Sequence, residues 1–544
     1  MSLNKERKLV LITLLAILVI AAFFRLWELD SVPPGLYPDV AIYANDGLNT
    51  LQTGNFRVFY PENNGREGLY MWLLALSFSV FGIGIWSIKI VTALIGIFTV
   101  LGLYLLTKEL FRISGDKKSE IIALLSAFFL ATSFWHTNFS RIGFRAILVP
   151  LILVFALYFL IKAFRTKRVL DFIFAGIFWG LGFYTYIAFR MAVIILGVIS
   201  ILKIIEYFKE NKPEIKWKWW WNKMYIKDGW WKFKLFLLVI FLVALPIGIY
   251  FLQHPQDFIG RASGVSIFKQ GNPVKTAILS LVVHLGMFNF HGDNNWRHNY
   301  AGTPMLPWPV GILFLLGIGI SIKELIEGAR KKDCPLFIIY SLLFTWLFAM
   351  LLPGILTYEG IPHALRVIGV IPVAYIFAGI GGWWTYEKLK KIIKNRKLLL
   401  VFCLLFLVLV GLAEFNKYFF IWAKDKNVEG AFTKNFADIG YYLNSLPLGV
   451  EKYVIVNEPG VPVPWPNGIP MPAQTVMFIE STRFGHPQST YLLPENLDQI
   501  KIKKETVIVP MKCDQNLLNE FKRRWPYGRI ITEGEICVYK IDYK

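Results

Sequence analysis

Two carboxylates stand seven residues apart in "GLYPDVAIYANDG", residues 35–47, directly after the first long apolar run. They are Asp39 and Asp46, and a third acid, Glu67, follows in "NNGREGL". A positioned carboxylate can take the proton of a hydroxyl as it attacks, help that is typically worth about 10²–10⁴ in rate. Asp39 also suits a turn or a helix N-cap, since "PPGLYPD" is turn chemistry, and Asp46 suits a cap or a solvated loop. A second set is basic. It comprises Arg66, Arg141 and Arg145 in "NFSRIGFRAI", Arg190 in "YTYIAFRMA", Arg297 and His298 in "GDNNWRHN", and His363 and Arg366 in "IPHALR". An arginine beside a membrane either holds an anion or lets its head reach the lipid headgroups. His291 and Asp293 lie close to Arg297 and His298. Their spacing matches no strong metal-ligand pattern, so they are weak candidates for a metal site.

These groups must be positioned by helices in lipid. Of the 544 residues, 55% are hydrophobic and only 17% charged, against about a quarter charged in an ordinary soluble domain. Runs near the roughly 20 apolar residues that cross a bilayer are predicted at 9–27, 86–108, 119–136, 145–163, 170–186, 189–207, 235–252, 308–327, 335–356, 364–386 and 397–416, about eleven in all. The chain reads as a polytopic α-helical membrane protein. Its net charge of +21 is not a nucleic-acid signal, because the Lys and Arg residues collect in alternate loops such as "RISGDKKSE", "KAFRTKR" and "EKLKKIIKNRK". The positive-inside rule then puts those loops and the N-terminus in the cytoplasm and the C-terminus outside, in a multi-pass protein of the plasma membrane. The Trp- and Lys-rich stretch 216–234 reads as an interfacial anchor. The first span lacks a small-residue cleavage pattern and is expected to stay as a signal anchor.

The predicted spans hold almost no ionisable residue at their centres, where a proton pump or ion-coupled transporter would keep them. Polar chemistry gathers instead at the outer helix ends and in two large outer loops, at about 28–85 and 253–307. Within them, 69–83 and the stretch "PVKTAILSLVVHLGMF" are expected as helices along the interface. From about residue 419 the pattern changes. "KYVIVN", "TVMFIE", "ETVIVP" and "EICVYKI" read as strands, and "AFTKNFADIGYYLNSL" and "QNLLNEFKRRW" as amphipathic helices. A small extracytoplasmic α/β domain at 419–544 is expected, in which Cys513 and Cys537 could pair.

The order of these motifs, "PPGLYPDVAIYANDG", "GREGLYMWLLALSFSVFG", "SRIGFR", "GDNNWRHN" and "PHALR", resembles the bacterial protein O-mannosyltransferase-like and aminoarabinose-transferase-like glycosyltransferases of the GT-C superfamily. The resemblance covers roughly residues 1–415, with 1–418 as the transmembrane glycosyltransferase domain. It implies a polyprenyl-phosphate-linked sugar as donor, a protein, lipid or glycan acceptor at the outer face, inversion at the anomeric carbon, and no nucleotide. It also implies that the catalytic acid just past the first span is Asp39. Cations near the interface would then stabilise the departing phosphate. Arg190, Arg297 and Arg366 lead that set, followed by Arg141, Arg145, Arg66, His298 and His363. Many relatives carry Asp-Glu where this chain has Asp39-Val40. The second carboxylate is missing, Asp46 or Glu67 would have to replace it, and no cofactor is expected beyond a possible divalent metal. A lipid-linked sugar flippase, a non-catalytic membrane protein and a ligase of a whole lipid-linked glycan are the alternatives. A flippase would need polar groups through its spans, and these are scarce.

Overall fold

The computed structural model describes residues 2–112, 115–211, 230–331, 333–464 and 468–542. Most of the Trp-rich stretch, residues 216–229, lies outside the described residues. The chain folds as two compact units. The first comprises Met1–Trp27, Thr92–Arg141 and Arg145–Trp422, and the second Glu28–Val91, Ile142–Phe144 and Ala423–Lys544.

The first unit is helical. A helix lies at each of the eleven predicted positions. Among the described residues, eight helices are long and apolar enough to cross a membrane: Glu6–Leu26, Ile85–Phe111, Arg145–Thr166, Trp231–Gln253, Trp308–Lys331, Pro335–Ile355, Ile368–Ile392 and Arg396–Trp422. The helices Asp116–Thr132, Val169–Gly182 and Ala192–Asn211 are not among those eight. The start predicted at 364 moves inward, because His363–Arg366 stay irregular and the helix opens through a short 3₁₀ turn, Ile368–Val370. Helices Trp308–Lys331 and Ile371–Ile392 cross where a Cβ on Gly317 would overlap the Phe377 carbonyl and one on Gly381 the Leu313 carbonyl. Such close backbone contact between apolar helices depends on small residues at the crossing.

The second unit joins the segment after the first span to the C-terminal stretch. Helix Pro38–Thr53 packs on helix Leu69–Phe81, close enough that a Cβ on Gly47 would sit 2.8 Å from Leu74 Cβ. At 13 residues, Leu69–Phe81 is too short to span hydrocarbon. Strands β1 (Phe59–Tyr60) and β2 (Arg66–Glu67) form a hairpin that pairs Phe59 with Glu67 and Tyr60 with Arg66. Its loop turns on Asn63, Asn64 and Gly65, at φ +49°, +63° and +85°. Asn and Gly are the residues that accept this left-handed backbone.

The C-terminal part is a five-stranded sheet of β3 (Glu451–Ile455), β4 (Thr490–Leu492), β5 (Thr506–Pro510), β6 (Arg529–Glu533) and β7 (Ile536–Ile541), in the order β4-β3-β5-β7-β6. β3 runs parallel to β4 and β5, and β7 antiparallel to β5 and β6. Helices Lys434–Ser445 and Ala473–Phe484 cover one face, burying Phe436, Leu443, Val476 and Met477 against Val454 and Val509. Helix Gln515–Arg524 covers the other through Leu518 and Phe521. The run "TVMFIE", expected as a strand, is instead the middle of helix Ala473–Phe484, buried continuously from Ala473 to Ser481. A short apolar run such as Val476–Ile479 reads the same for a buried strand and a buried helix. β4 and β6 are strands that the pattern did not announce. Cys513 and Cys537 form a disulfide with Cα atoms 5.6 Å apart.

Candidate functional site

In the second unit, Lys89 donates to the Pro33 carbonyl at 2.8 Å and the Asp30 carbonyl at 3.2 Å, fastening the turn that delivers Asp39. Pro38 opens the following helix, whose N-cap, Tyr37, makes no side-chain cap bond. Asp39 therefore stands in the first turn, where the unbonded N–H groups of a helix favour an acid, rather than at the cap. Its half-buried carboxylate accepts from Asn63 Nδ2 at 2.8 Å through Oδ1. Asn63 is its one hydrogen-bond partner among the described residues.

Asp46 lies two turns further along the same helix. It is ion-paired with the buried Arg66. Arg66 also donates to the Glu62 carbonyl (3.1 Å) and carboxylate (3.4 Å), and Glu62 in turn meets Arg57 at 3.3 Å. Burial pushes the Asp46 carboxyl up to about 6, and the guanidinium of Arg66 opposes that rise without cancelling it. Glu67 is buried in β2. Around Asp46 opens a cavity of about 320 Å³, walled on one side by the helix Pro38–Thr53 and on the other by Gln474, Ser481 and the stretch 485–487. Asn45 joins the two walls, donating to Gln474 Oε1 at 2.8 Å, and Gln52 does so through the Gly485 carbonyl at 2.8 Å.

In the first unit, "GDNNWRHN" winds through successive Asx turns. Asn295 N–H donates to Asp293 Oδ1 at 2.7 Å and Arg297 N–H to Asn295 Oδ1 at 3.0 Å. Asn138 and Trp422 then pin the loop through the carbonyls of Arg297 (2.7 Å) and Trp296 (3.0 Å). Asp293 Oδ2 accepts from Ala364 N–H at 2.8 Å and lies 2.9 Å from His298 Nδ1. A carboxylate only accepts, so Nδ1 is the donor in this bond. The His298 and His363 rings lie 5.0 Å apart, and His363 N–H donates to His284 Nε2 at 3.2 Å. Burial first, then the neighbouring His298, Arg366, His284 and Arg297, holds His363 well below its ordinary range, so it is neutral at pH 7. Asp293, His298 and His363 bring their ligand atoms within 4.8 Å of one another. One carboxylate and two imidazoles are a donor set that a divalent transition metal accepts. His291 is exposed and outside this group.

The remaining sequence candidates are dispersed. Arg141 is fully buried and donates to the Phe24 (3.1 Å) and Trp27 (2.6 Å) carbonyls, closing the end of the first span. Arg145 is buried with its guanidinium 5.4 Å from the Tyr186 ring centroid. Arg190 donates to the Phe258 carbonyl at 2.6 Å and stacks 4.2 Å over the ring of that residue. Arg366 meets Glu359 twice, at its carbonyl (2.6 Å) and carboxylate (3.1 Å). Arg297 is half-buried. Asn63, Glu62, Lys89, Gln474 and His284 belong to these sites without having been picked out by sequence. Only Asn63 had a signal, the Asn-Asn-Gly turn of a hairpin.

Residues 69–218 match the family model described as dolichyl-phosphate-mannose-protein mannosyltransferase. Over 136 residues the chain is 28% identical to an uncharacterized protein of Aquifex aeolicus (strain VF5), an alignment covering 24% of this chain and 26% of that relative. The chain therefore matches about a quarter of that relative's length. Two solved structures are similar over nearly the whole chain. ArnT from Cupriavidus metallidurans, bound to undecaprenyl phosphate, superposes with a TM-score of 0.52 at 13% identity, covering 97% of each chain. The archaeal oligosaccharyltransferase AglB from Archaeoglobus fulgidus, in complex with an inhibitory peptide and a dolichol-phosphate, gives 0.52 at 15% identity over 89% of this chain and 65% of that one. Identities this low establish a shared fold and nothing finer.

Proposed function

We propose that this chain, a polytopic membrane protein with the GT-C glycosyltransferase fold, moves a sugar from a polyprenyl-phosphate-linked donor to an acceptor at the outer face of the plasma membrane, with inversion and with Asp39 as general base. The acceptor hydroxyl gives its proton to Asp39 while its oxygen attacks the anomeric carbon. The bond from that carbon to the phosphate oxygen breaks, and polyprenyl phosphate leaves with the electron pair. Arg190, Arg297 and Arg366 are assigned to the charge of the departing phosphate. Arg141 and Arg66, which are fully buried where Arg190, Arg297 and Arg366 are only partly so, and whose hydrogen bonds go to protein acceptors, are assigned to structure.

The observation that carries this reading is the placement of Asp39. It follows the first membrane-length helix, it is half-buried, and a single amide holds it by one oxygen. A cap or ion-pair role would have consumed it, and neither does. The fold and the polyprenyl phosphates bound by ArnT and AglB support the donor class. The test uses purified protein in lipid with radiolabelled polyprenyl-phosphate sugars and an envelope acceptor. Asp39→Asn should lose about 10²–10⁴ in transfer while still binding donor. Undiminished transfer by Asp39→Asn would move the base to Asp46, Glu67 or Asp293. Tight donor binding by wild type without any transfer would favour a flippase.

A further inference from the structure

The cavity around Asp46 has no part in the chemistry above, yet it is built like a ligand site. Its volume of about 320 Å³ lies at the small end of the roughly 300–1,000 Å³ of ligand pockets. Amides and a hydroxyl converge on it: Asn45, Asn49, Gln52, Gln474 and Ser481. Gln474 and Ser481 are buried, while Asn49 and Gln52 stand exposed at the rim. A carboxamide both donates and accepts, which is what a sugar hydroxyl needs from its partner.

Charge narrows the ligand. The cavity contains two guanidinium groups, Arg57 and Arg66, and two carboxylates, Asp46 and Glu62. These are paired with each other, so they leave no net charge for a phosphate or an anionic headgroup. The ligand that fits is neutral and rich in hydroxyls.

Register narrows it further. Asp46 follows Asp39 by seven residues on one helix. That places the two carboxylates on the same face, about 10 Å apart at ~1.5 Å rise per residue. Asp39 itself does not line the cavity, so a molecule with a hydroxyl at Asp39 and a ring in the cavity would have to span that distance.

We infer that the cavity is an acceptor subsite for a neutral glycan of at least two sugar units, its reacting hydroxyl at Asp39 and its distal ring against Asn49, Gln52 and Ser481. This rests on the glycosyltransferase reading of Asp39. It assigns to helix Ala473–Phe484 and the residues following it the task of gripping the acceptor.

The experiment takes full-length protein in nanodiscs and a neutral trisaccharide, its constituent monosaccharide, a Ser/Thr-rich peptide and inorganic phosphate as probes. Saturation-transfer NMR reads binding, and steady-state transfer reads KM and kcat separately. The expected result is that the trisaccharide binds and the other probes do not. Asn49→Ala should raise the trisaccharide KM about tenfold, removing its advantage over the monosaccharide. Asn49 is exposed, so this change leaves the fold intact, and Ser481→Leu blocks the cavity from the opposite wall as a second variant. Equal use of trisaccharide and monosaccharide by wild type, or peptide binding in place of glycan, would overturn the subsite while leaving Asp39 chemistry standing. Trisaccharide binding that Asn49→Ala weakens, with no transfer from any donor, would keep the glycan site and remove the transferase reading.

Discussion

Asn63 holds Asp39 by one 2.8 Å bond, and its backbone sits at φ +49°, so glycine can replace it without strain. Asn63→Gly thus deletes the amide and keeps the turn. Because a hydrogen bond to a charged group is worth about 1.5–3 kcal/mol, kcat should fall tenfold or more while the acceptor KM stays close to wild type. A variant with unchanged kcat would show that Asp39 needs no such orientation. Asp46 yields a pH test. Its carboxyl stands near 6 in the folded protein against an ordinary 3.8, so the folded state binds this proton more tightly than the unfolded chain. The stability it contributes is complete below about pH 4 and is lost as pH rises through about 6, by up to about 3 kcal/mol. Asp46→Asn has no such term, so the Tm of wild type relative to this variant should decline between pH 4 and 6. Parallel profiles would refute the raised proton affinity of this carboxyl. At this scale the sequence displayed the residue types, Asp39 and the arginines, but not their partners. Arg141 and Arg297 look alike in the chain, and only packing turns one onto the carbonyls of Phe24 and Trp27.

At the scale of elements, the apolar runs and the basic loops were legible because a bilayer permits few solutions: every spanning backbone must satisfy its own hydrogen bonds. Helix Leu69–Phe81 was legible for the same reason, as an apolar run too short to cross. What the pattern could not show was partnership. The segment after the first span folds with the C-terminal stretch through Thr433 and Thr475, whose hydroxyls both donate to the Leu36 carbonyl at 3.1 and 2.9 Å. Periodicity carries no trace of contacts some 400 residues apart, and "TVMFIE" failed because burial on all sides erases the period that separates helix from strand. Lys89 illustrates the cost of reading a span by hydropathy alone. It falls inside the predicted span 86–108, yet it is buried and its ammonium fastens the turn before Asp39. Lys89→Met leaves those carbonyls unpaired, at about 1–3 kcal/mol. Amide exchange over residues 30–40 should quicken and transfer should fall with it. Unchanged exchange would mean that the turn holds itself.

At the scale of the whole molecule, the open question is the side on which the C-terminal sheet lies, and it reduces to parity. An odd number of crossings carries a chain with a cytoplasmic N-terminus to the outside, and an even number brings it back. Eight described helices are long and apolar enough to cross. The helices Asp116–Thr132, Val169–Gly182 and Ala192–Asn211 decide whether the total becomes odd. Each adjoins one of the Lys- and Arg-rich loops that the positive-inside rule assigns to the cytoplasm. The loops "RISGDKKSE" and "KAFRTKR" can share that side only if Asp116–Thr132 crosses as well as Arg145–Thr166, whereas Val169–Gly182 and Ala192–Asn211, which separate "KAFRTKR" from the loop after residue 207, must cross as a pair or not at all. The total is then odd, nine or eleven, and the C-terminus lies outside. The Cys513–Cys537 disulfide points the same way, since such bonds persist in oxidising compartments. Closing a segment of 24 residues, it should add about 3 kcal/mol to the sheet domain. A membrane-impermeant maleimide applied to intact cells should leave both cysteines unmodified, then label them once an impermeant reductant has opened the bond. Labelling that requires permeabilised cells would place the domain in the cytoplasm together with Asp39, which belongs to the same folded unit, would invert the orientation of the spans, and would put Asp39 on a face where the proposed acceptor would have to be found anew.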